Sequence, residues 1–295
     1  AEYAKRIDEN VLEVIRQVHP FENVSRVGED FRKNELVISK GTKIRSWHIG
    51  ALASLNITTI PVYAKVRVGV LSTGDELVEP GTQPVEGQVI NSCKPMLKAM
   101  VVEHGAEPVD LGTVEDDVDR VAAKIAESID SVDMLIITGG TSVGGRDVVP
   151  EAVNRVGEPG VIFHGVRIRP AKPTGAAVIR GKPVFMLSGY PVAAALGFML
   201  FVKPMLNRFY NRKATIPCTV RGRLTRRVPN PHLTRSFVRV RVEKTQQGYL
   251  VNPLMLTGSG ILSTLTKANG ILEVPEGVEG YEEGEEVDVE LLTNE

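Results

Sequence analysis

The stretch from Lys65 to about Tyr210 constrains the fold most, because short β-rich runs alternate there with segments of helical period. Such alternation is typical of βαβ units, in which helices join parallel strands and cover the sheet. The predicted strands are Arg67–Leu71, Glu107–Leu111, Met134–Thr138 and Val161–His164. The predicted helices lie near Ser92–His104, Val118–Ile129 and Val148–Val156, and a hairpin of Gly175–Ile179 and Pro183–Leu187 precedes an apolar helix from Pro191. We therefore expect a central three-layer α/β domain with a mainly parallel sheet.

The sequence on either side of this stretch follows other patterns. Towards the C-terminus charged and apolar residues alternate with period two, as in Ser236–Val242, which predicts an all-β domain. Near the N-terminus Val11–Val18 fits a helix or a strand, and Ser46 is a candidate N-cap of a short helix that a left-handed Asn56 would end. The predicted parts are a partial α+β segment at 1–64, the α/β domain at 65–212 and the β domain at 213–295.

Charge, cysteine content and hydropathy exclude several classes of protein. The 35 Lys and Arg residues balance 36 Asp and Glu residues, so no overall positive field would hold nucleic acid or an anionic membrane. Cys93 and Cys218 are far apart, which argues against a disulfide framework or a zinc site. The apolar run Pro191–Val202 is shorter than the roughly 20 residues of a membrane span, so it predicts a buried helix. We expect a cytoplasmic protein without a secretory signal.

The clearest candidate for ligand binding is the glycine-rich loop Thr138–Asp147, which follows a predicted buried strand and precedes a helix. Glycines let backbone N–H groups approach a ligand, and a helix N-terminus favours negative charge. The loop therefore predicts a phosphate or pyrophosphate cradle, although ordinary left-handed turns would explain one or two of the glycines. The candidate binding residues in it are Gly139, Gly140, Thr141, Ser142 and Gly144.

Acidic residues follow the other strands at the same predicted edge of the sheet. Thr73-Gly74-Asp75-Glu76 comes after the first strand, and Asp116 with Asp117 comes after the second. Ligands of open α/β sheets bind at the carboxyl ends of the strands, so we expect Asp75, Glu76 and Asp116 to converge with Asp147. Thr73, Gly74 and Asp75 are the candidate binding residues of this loop. Carboxylates beside a phosphate cradle suggest Mg²⁺. Asp116 and Asp117 also fit an N-cap, and one of them can cap the helix while the other faces the site.

Cations and a further helix start complete the candidate site. Arg169-Pro170-Ala171-Lys172-Pro173 carries two cations on a stretch stiffened by proline, which suits anion recognition, although a lone basic run is more often a solvated loop. Ser188-Gly189-Tyr190-Pro191 opens the apolar helix and offers another helix N-terminus to an anion. The candidate binding residues here are Arg169, Lys172, Pro173, Ser188 and Gly189. Cys93 and the five histidines show no catalytic or metal-ligand spacing and are interpreted as structural.

In this order the motifs STGDEL, EDD, GGTSVGGRD, RPAKP and SGYP resemble the molybdenum-inserting MoeA family of molybdopterin biosynthesis, to which the C-terminal domain of gephyrin also belongs. The resemblance extends to Phe21–Asp30, Lys40–Thr42, Leu256–Gly260 and Ala268–Gly270. It implies a molybdopterin-binding central domain and an enzyme that hydrolyses adenylated molybdopterin with Mg²⁺, inserts molybdate and releases AMP. It further implies a homodimer, and catalytic and metal-binding roles for Glu76, Asp116 and Asp147.

The chain departs from the family pattern at two motifs, because the family usually has KPGKP and PGNP where this chain has RPAKP and SGYP. The family also usually has a longer N-terminal region with a lasso-like domain, so we expect ligand binding here and leave turnover open. Two alternatives stay open: a molybdopterin adenylyltransferase, whose loop shares Gly-Gly-Thr and Arg-Asp, and a dimeric scaffold of the gephyrin type. The β domain and the segment Phe21–Thr42 favour the insertion reaction. Tungsten in place of molybdenum stays equally open.

Overall fold

The computed structural model describes residues 3–140, 148–212, 217–230, 233–254 and 258–292. The chain forms two compact units, Ala1–Pro61 and Val62–Glu295.

The helices are α1 Ser46–Ser54, α2 Cys93–Glu103, α3 Val118–Ser128, α4 Val148–Val156, α5 Pro191–Phe209 and α6 Ser263–Lys267. The strands are β1 Ala4–Asp8, β2 Val11–Val14, β3 Arg67–Thr73, β4 Leu77–Val78, β5 Val89–Ile90, β6 Glu107–Val114, β7 Met134–Thr138, β8 Pro159–His164, β9 Ile168–Arg169, β10 Gly175–Ile179, β11 Lys182–Leu187, β12 Thr219–Leu224, β13 Val228–Pro229, β14 Arg235–Thr245, β15 Gly248–Pro253, β16 Gly270–Val274, β17 Gly280–Tyr281 and β18 Glu286–Leu291.

In the first unit, β1 and β2 form an antiparallel hairpin, so the strand alternative for Val11–Val14 is correct. Helix α1 follows, and Asn56 takes the expected left-handed conformation with φ of +57°. The predicted N-cap was wrong by one residue, since Ser46 is already helical and Arg45 is the capping position. The Arg45 backbone N–H donates to His48 Nδ1 at 3.0 Å. The side chain that binds a backbone group at the start of α1 is therefore that of His48 and not that of Ser46.

The central sheet of the second unit has six strands in the order β6-β3-β7-β11-β10-β8. The first four strands run parallel, and β10 is antiparallel to both of its neighbours, which confirms a mainly parallel sheet with a β10–β11 hairpin. Ser72 of β3 and Leu187 of β11 both pair with Thr138 of β7. The chain therefore leaves these three strands at the same edge of the sheet.

Both faces of this sheet are covered, which gives the predicted three layers. Helices α3 and α4 pack on one face through residues such as Ile125 and Val149, against Leu71 and Ile137. Helices α2 and α5 pack on the other face, against β3 and β7 side chains that include Val70 and Ile136. Strands buried on both faces read as continuous apolar runs, which is why their bounds were close to those expected from the sequence.

Helix α5 has 19 residues and is longer than the apolar run from which it was predicted. It changes to a π-helix over Phe198–Val202, immediately before Lys203 and Pro204. Pro204 has no N–H to continue the α-helical ladder, and a π-turn is a way to carry a helix past such a point. The helix is long and apolar enough to cross a membrane by composition, but half of its most apolar window is buried. Phe198 and Leu206 pack on the central sheet, as expected for a core helix.

The C-terminal sheet has the order β15-β12-β18-β16-β14-β9, and an additional β14–β15 pairing closes five of its strands into a barrel. Valine side chains such as Val240, Val251 and Val289 fill the barrel. The sixth strand, β9, belongs to the RPAKP region and pairs in parallel with Arg235 and Ser236 of β14. This pairing was not expected, because two residues are too short to show a period in the sequence. It connects the two sheets of the second unit directly.

Candidate functional site

A cavity of about 1010 Å³ lies between the carboxyl edge of the central sheet and the C-terminal barrel. The ends of β3, β7 and β11 line it on one side, and β9 and β14 line it on the other. The candidate residues that line the cavity are Thr73, Glu76, Asp116, Gly139, Gly140, Arg169, Lys172, Pro173, Ser188 and Gly189. The expectation for Gly74 and Asp75 was wrong, because neither lines the cavity and the Asp75 carboxylate binds the Asp116 backbone N–H instead. Four further candidates, Thr141, Ser142, Gly144 and Asp147, lie outside the described residues.

The glycine loop begins in very close contact with the end of β3. Gly139 and Gly140 have φ values of +95° and +56°, a region that favours glycine. A Cβ atom on Gly139 would overlap the Thr73 carbonyl oxygen, and one on Gly140 would lie 2.7 Å from Thr73 Oγ1 and 3.3 Å from Asp116 Oδ1. Both glycines are therefore required by packing as well as by backbone conformation. They let Thr73 and Asp116 come together at the cavity.

The acidic residues after β3 and β6 have different roles. Asp117 is the N-cap of α3, and its Oδ1 accepts a hydrogen bond from the Arg120 backbone N–H at 2.9 Å. Asp75 Oδ1 accepts from the Asp116 backbone N–H at 3.0 Å and so holds the Asp116 backbone in place. Asp116 itself faces the cavity, as does Glu76, whose carboxylate lies over Gly74. The division between a capping and a cavity-facing aspartate, expected from the pair, is confirmed.

The oxygen atoms at this end of the cavity suit a hard cation that also binds a ligand. Thr73 Oγ1 is buried and has no hydrogen-bond partner among the described residues, and it lies beside Gly140 and Asp116. Within the described parts of the chain, no group of three His, Cys, Asp or Glu side chains could hold a metal ion by itself. Mg²⁺ often binds through one or two carboxylates and completes its shell with water and substrate phosphate. Thr73, Glu76 and Asp116 fit that pattern. We call these three residues, together with the adjacent Gly139 and Gly140, the acid wall.

Cations line the opposite side, which we call the cation wall: Arg169, Lys172 and Arg239. Arg239, on β14, is only 5% exposed. Its Nε donates to Thr264 Oγ1 at 3.2 Å and its Nη1 to the Phe237 carbonyl at 3.5 Å, whereas Nη2 finds no partner among the described residues. Burial, and after it the charge of Arg169, lowers the pKa of the Arg239 guanidinium. A buried cation without a counter-charge is costly, so an anion in the cavity would stabilise it.

Arg239 is the site residue that sequence reasoning missed. It lies within the alternating run Ser236–Val242, where a charged position is normally on a solvated face. The available signal was Phe237, which is two residues away and therefore on the same side of the strand. Both residues are buried, because this side of β14 faces α5 and the cavity instead of solvent.

A polar network beneath the acid wall was also missed. The Lys94 ammonium is buried and lies 2.6 Å from Glu79 Oε1 and 3.5 Å from Asp110 Oδ1. Glu79 also accepts a hydrogen bond from Thr113 Oγ1 at 2.9 Å. The hydrogen bond from Lys94 is the largest of the effects that hold the pKa of Glu79 below its usual value. The network ties the segment after Glu76 to α2 and β6.

Cys93 lines the cavity but behaves as a structural residue, as expected from its isolation in the sequence. Its thiol donates to the Gly189 carbonyl at 3.0 Å. Burial raises the pKa of this thiol to about 11, so it stays protonated at neutral pH. A protonated thiol is a poor nucleophile and a poor metal ligand.

The fold and the cavity define an α/β protein with an appended β-barrel and a cavity, lined by acidic and cationic side chains, between the two. Three family models match the chain in succession: the MoeA N-terminal region (domain I and II) at residues 1–56, the probable molybdopterin binding domain at 69–208 and the MoeA C-terminal region (domain IV) at 221–292. This chain belongs to the MoeA family of molybdopterin biosynthesis proteins. The resemblance read from the five motifs is thereby confirmed.

Individual relatives agree with this assignment. A Methanocaldococcus jannaschii protein assigned to molybdopterin biosynthesis is 42% identical over 99% of this chain and 71% of its own length. The molybdopterin molybdenumtransferase of Bacillus subtilis is 34% identical over 95% of this chain and 65% of its own length. The crystal structure of a MoeA protein from Pyrococcus horikoshii superposes with a TM-score of 0.82 at 32% identity, over all of this chain and 71% of that one. The chain thus spans about two thirds of its relatives' length.

Proposed function

We propose that this protein inserts molybdate into adenylated molybdopterin and releases AMP in a Mg²⁺-dependent reaction, in the cytoplasm and as a homodimer. One observation carries the proposal: the cavity has an acid wall and a cation wall, and neither wall is neutralised by an ion pair among the described residues. Glu76 and Asp116 line the space from loops at the carboxyl edge of the central sheet, and Arg239 lines it from β14 of the barrel. A pyrophosphate substrate has negative charge for the cation wall, and a Mg²⁺ ion bound to its phosphates would supply the positive charge for the acid wall.

The cation wall binds the anionic parts of the substrates. Arg169 and Arg239 offer guanidinium forks for phosphate or molybdate oxygens, and Lys172 adds a point charge. Arg239 is already oriented by Thr264 and Phe237, which leaves Nη2 for an incoming oxygen. A buried, preoriented donor stabilises developing negative charge without reorganisation during the reaction.

The acid wall holds the position at which the pyrophosphate is cleaved. Thr73, Glu76 and Asp116 would hold Mg²⁺, which supplies Lewis-acid neutralisation of the pyrophosphate when it is bound. Asp75 fixes the backbone of Asp116, and Asp117 anchors the helix that follows, so the Asp116 carboxylate is presented from a rigid turn. Asp147 remains the predicted third acid. These residues orient the attacking oxygen towards the phosphorus atom that releases AMP.

The proposal is tested by incubating the protein with adenylated molybdopterin, Mg²⁺ and molybdate while AMP is measured by chromatography. We expect AMP release that depends on molybdate and stops when EDTA is added. Formation of the adenylate from ATP and molybdopterin would support an adenylyltransferase instead. Absence of both reactions, with a stable dimer in solution, would favour a scaffold. The matches to the MoeA N-terminal and C-terminal regions support the insertion reaction over the adenylyltransferase.

A further inference from the structure

Tyr190 presents an aromatic ring at the cavity in the motif where the family pattern has asparagine. The residue lines the cavity and is 62% exposed. Its backbone is nevertheless fixed on both sides, because its N–H donates to Ser188 Oγ at 3.2 Å and its carbonyl accepts from the Ala194 N–H at 2.8 Å. The ring therefore projects from a rigid point, the N-cap of α5.

The barrel supports one side of this ring. A Cβ atom on Gly260 would lie 3.3 Å from Tyr190 Cδ1 and 3.8 Å from Cε1, so the absence of a side chain there makes room for the ring. The same loop is tied to α5, since the Val192 N–H donates to the Ser259 carbonyl at 2.9 Å. Among the described residues the side chain of Tyr190 makes no hydrogen bond or ring contact. An aromatic ring supported from behind, with its remaining surface open to a cavity, has the arrangement of a stacking platform.

We propose that Tyr190 stacks on a planar nitrogen heteroaromatic ring of the ligand. The inference rests on the proposed function, whose substrate contains two such rings, a purine and a pterin. The cation wall would hold the charged part of the ligand while Tyr190 holds a ring, so the two contacts fix its orientation. Aromatic stacking tolerates any flat ring and resembles the way in which side chains bind single bases. Loss of one stacking partner corresponds to a fall in affinity of about tenfold.

The inference is tested by calorimetric binding of three probes, AMP, pterin and ribose 5-phosphate, in the presence of Mg²⁺. Tyr190→Ala should weaken binding of a ring-containing probe about tenfold and leave ribose 5-phosphate unchanged. Tyr190→Phe should retain the affinity of the unsubstituted protein, since stacking needs the ring and not the hydroxyl. Selective loss with AMP identifies the purine as the stacked ring, and selective loss with pterin identifies the pterin. Tyr3→Ala, at an exposed tyrosine outside the cavity, is the matched control.

Two further variants separate stacking from a general disturbance of the cavity. Gly260→Ala keeps the ring but places a methyl group against it, so it should weaken the same probe by a smaller factor. Tyr190→Trp combined with Trp47→Phe leaves a single indole at the platform, whose fluorescence AMP or pterin should quench and ribose 5-phosphate should not.

The possible failures are distinct. If the unsubstituted protein binds AMP or pterin and Tyr190→Ala binds both with the same affinity, the stacking inference is wrong and the proposed function is unaffected. If the unsubstituted protein binds none of the three probes, the proposed function and the inference fall together. A circular dichroism melt of each variant establishes that it is folded.

Discussion

The acid wall and the cation wall enclose the same cavity but are held together in different ways. The acid wall is shaped by backbone: Gly139 and Gly140 lie directly against Thr73, and a hydrogen bond from the Asp116 N–H to Asp75 Oδ1 fixes the turn. The cation wall is shaped by packing between the two sheets, where Arg239 is buried beside the apolar cluster around Phe237. The first wall should therefore tolerate no added carbon atoms, whereas the second should tolerate loss of charge with little loss of stability.

The largest expected effect comes from removing the buried charge of the cation wall. Arg239→Met should lower the rate of AMP release on the order of 10²-fold, because it removes a preoriented donor to the anion. The free energy of unfolding should stay level or rise, because an apolar side chain of similar length replaces a buried cation that no acidic group among the described residues neutralises. Rates are measured at saturating Mg²⁺, and stability is measured by urea denaturation.

The matched control for that prediction is Arg241→Met. Arg241 lies on the same strand, two residues further on, and it is exposed and outside the cavity. It should change neither quantity appreciably. A variant at Arg239 that unfolds easily but still releases AMP at the normal rate would show that the guanidinium serves structure and not the reaction.

The next largest effect concerns the backbone of the acid wall. Gly140→Ala should destabilise the protein by about 2–4 kcal/mol, since it combines a positive φ with contacts at 2.7 Å to Thr73 Oγ1 and 2.8 Å to Val149 Cγ2. Gly81→Ala and Gly87→Ala provide the comparison, because both glycines have positive φ and no atom near the added methyl group. They should lose only about 1 kcal/mol. Equal losses at all three positions would mean that the close packing at Gly140 relaxes at no cost.

The acid wall is formed by local backbone contacts and the cation wall by packing between two sheets, and this difference explains how much of the site could be predicted from the sequence. The strand ends at Thr73 and Thr138 are local features, since an apolar run followed by glycine and acidic residues is visible within ten positions. Parallel pairing then brings these ends to one edge, which is why Glu76 and Asp116 were expected at the same crevice. The burial of Arg239 depends on the position of β14 beside β9, more than sixty positions away in the chain, and the local sign of it in the sequence is the apolar Phe237 two residues earlier. The domain boundaries expected at 64 and 212 stay predictions.

A smaller effect is expected from the network under the acid wall. The pKa of Glu79 is lowered in the folded protein, so its ion pair with Lys94 stabilises the fold above the ordinary glutamate pKa and is lost as the pH falls through the lowered value. Glu79→Gln should therefore reduce the free energy of unfolding by less than about 1 kcal/mol at pH 7, since half of this side chain is exposed. The difference from the unsubstituted protein should shrink in urea titrations as the pH falls below the ordinary glutamate pKa.

The variant Lys94→Met serves as the background for that measurement. Without the ammonium group, Glu79→Gln should have the same effect at pH 7 and at pH 3. A pH-dependent difference that persists in this background would assign the lowered pKa of Glu79 to Thr113 or to another neighbour instead of Lys94.

The smallest expected effect lies in the cation wall, at the position where the family pattern has glycine. Ala171 has φ of +81°, which strains an alanine, yet its methyl group is buried with Ala193, Leu196 and Phe237. Ala171→Gly should relieve strain of about 1 kcal/mol, but it also loses about 0.8 kcal/mol of buried methyl surface and adds entropy to the unfolded chain. The net change in the free energy of unfolding should therefore be below about 1 kcal/mol. Ala171→Val, which places a branched side chain at positive φ, should cost about 2 kcal/mol or more. A large loss in the glycine variant would mean that this methyl group is essential to the packing between the sheets, and that the cation wall tolerates as little change in volume as the acid wall does.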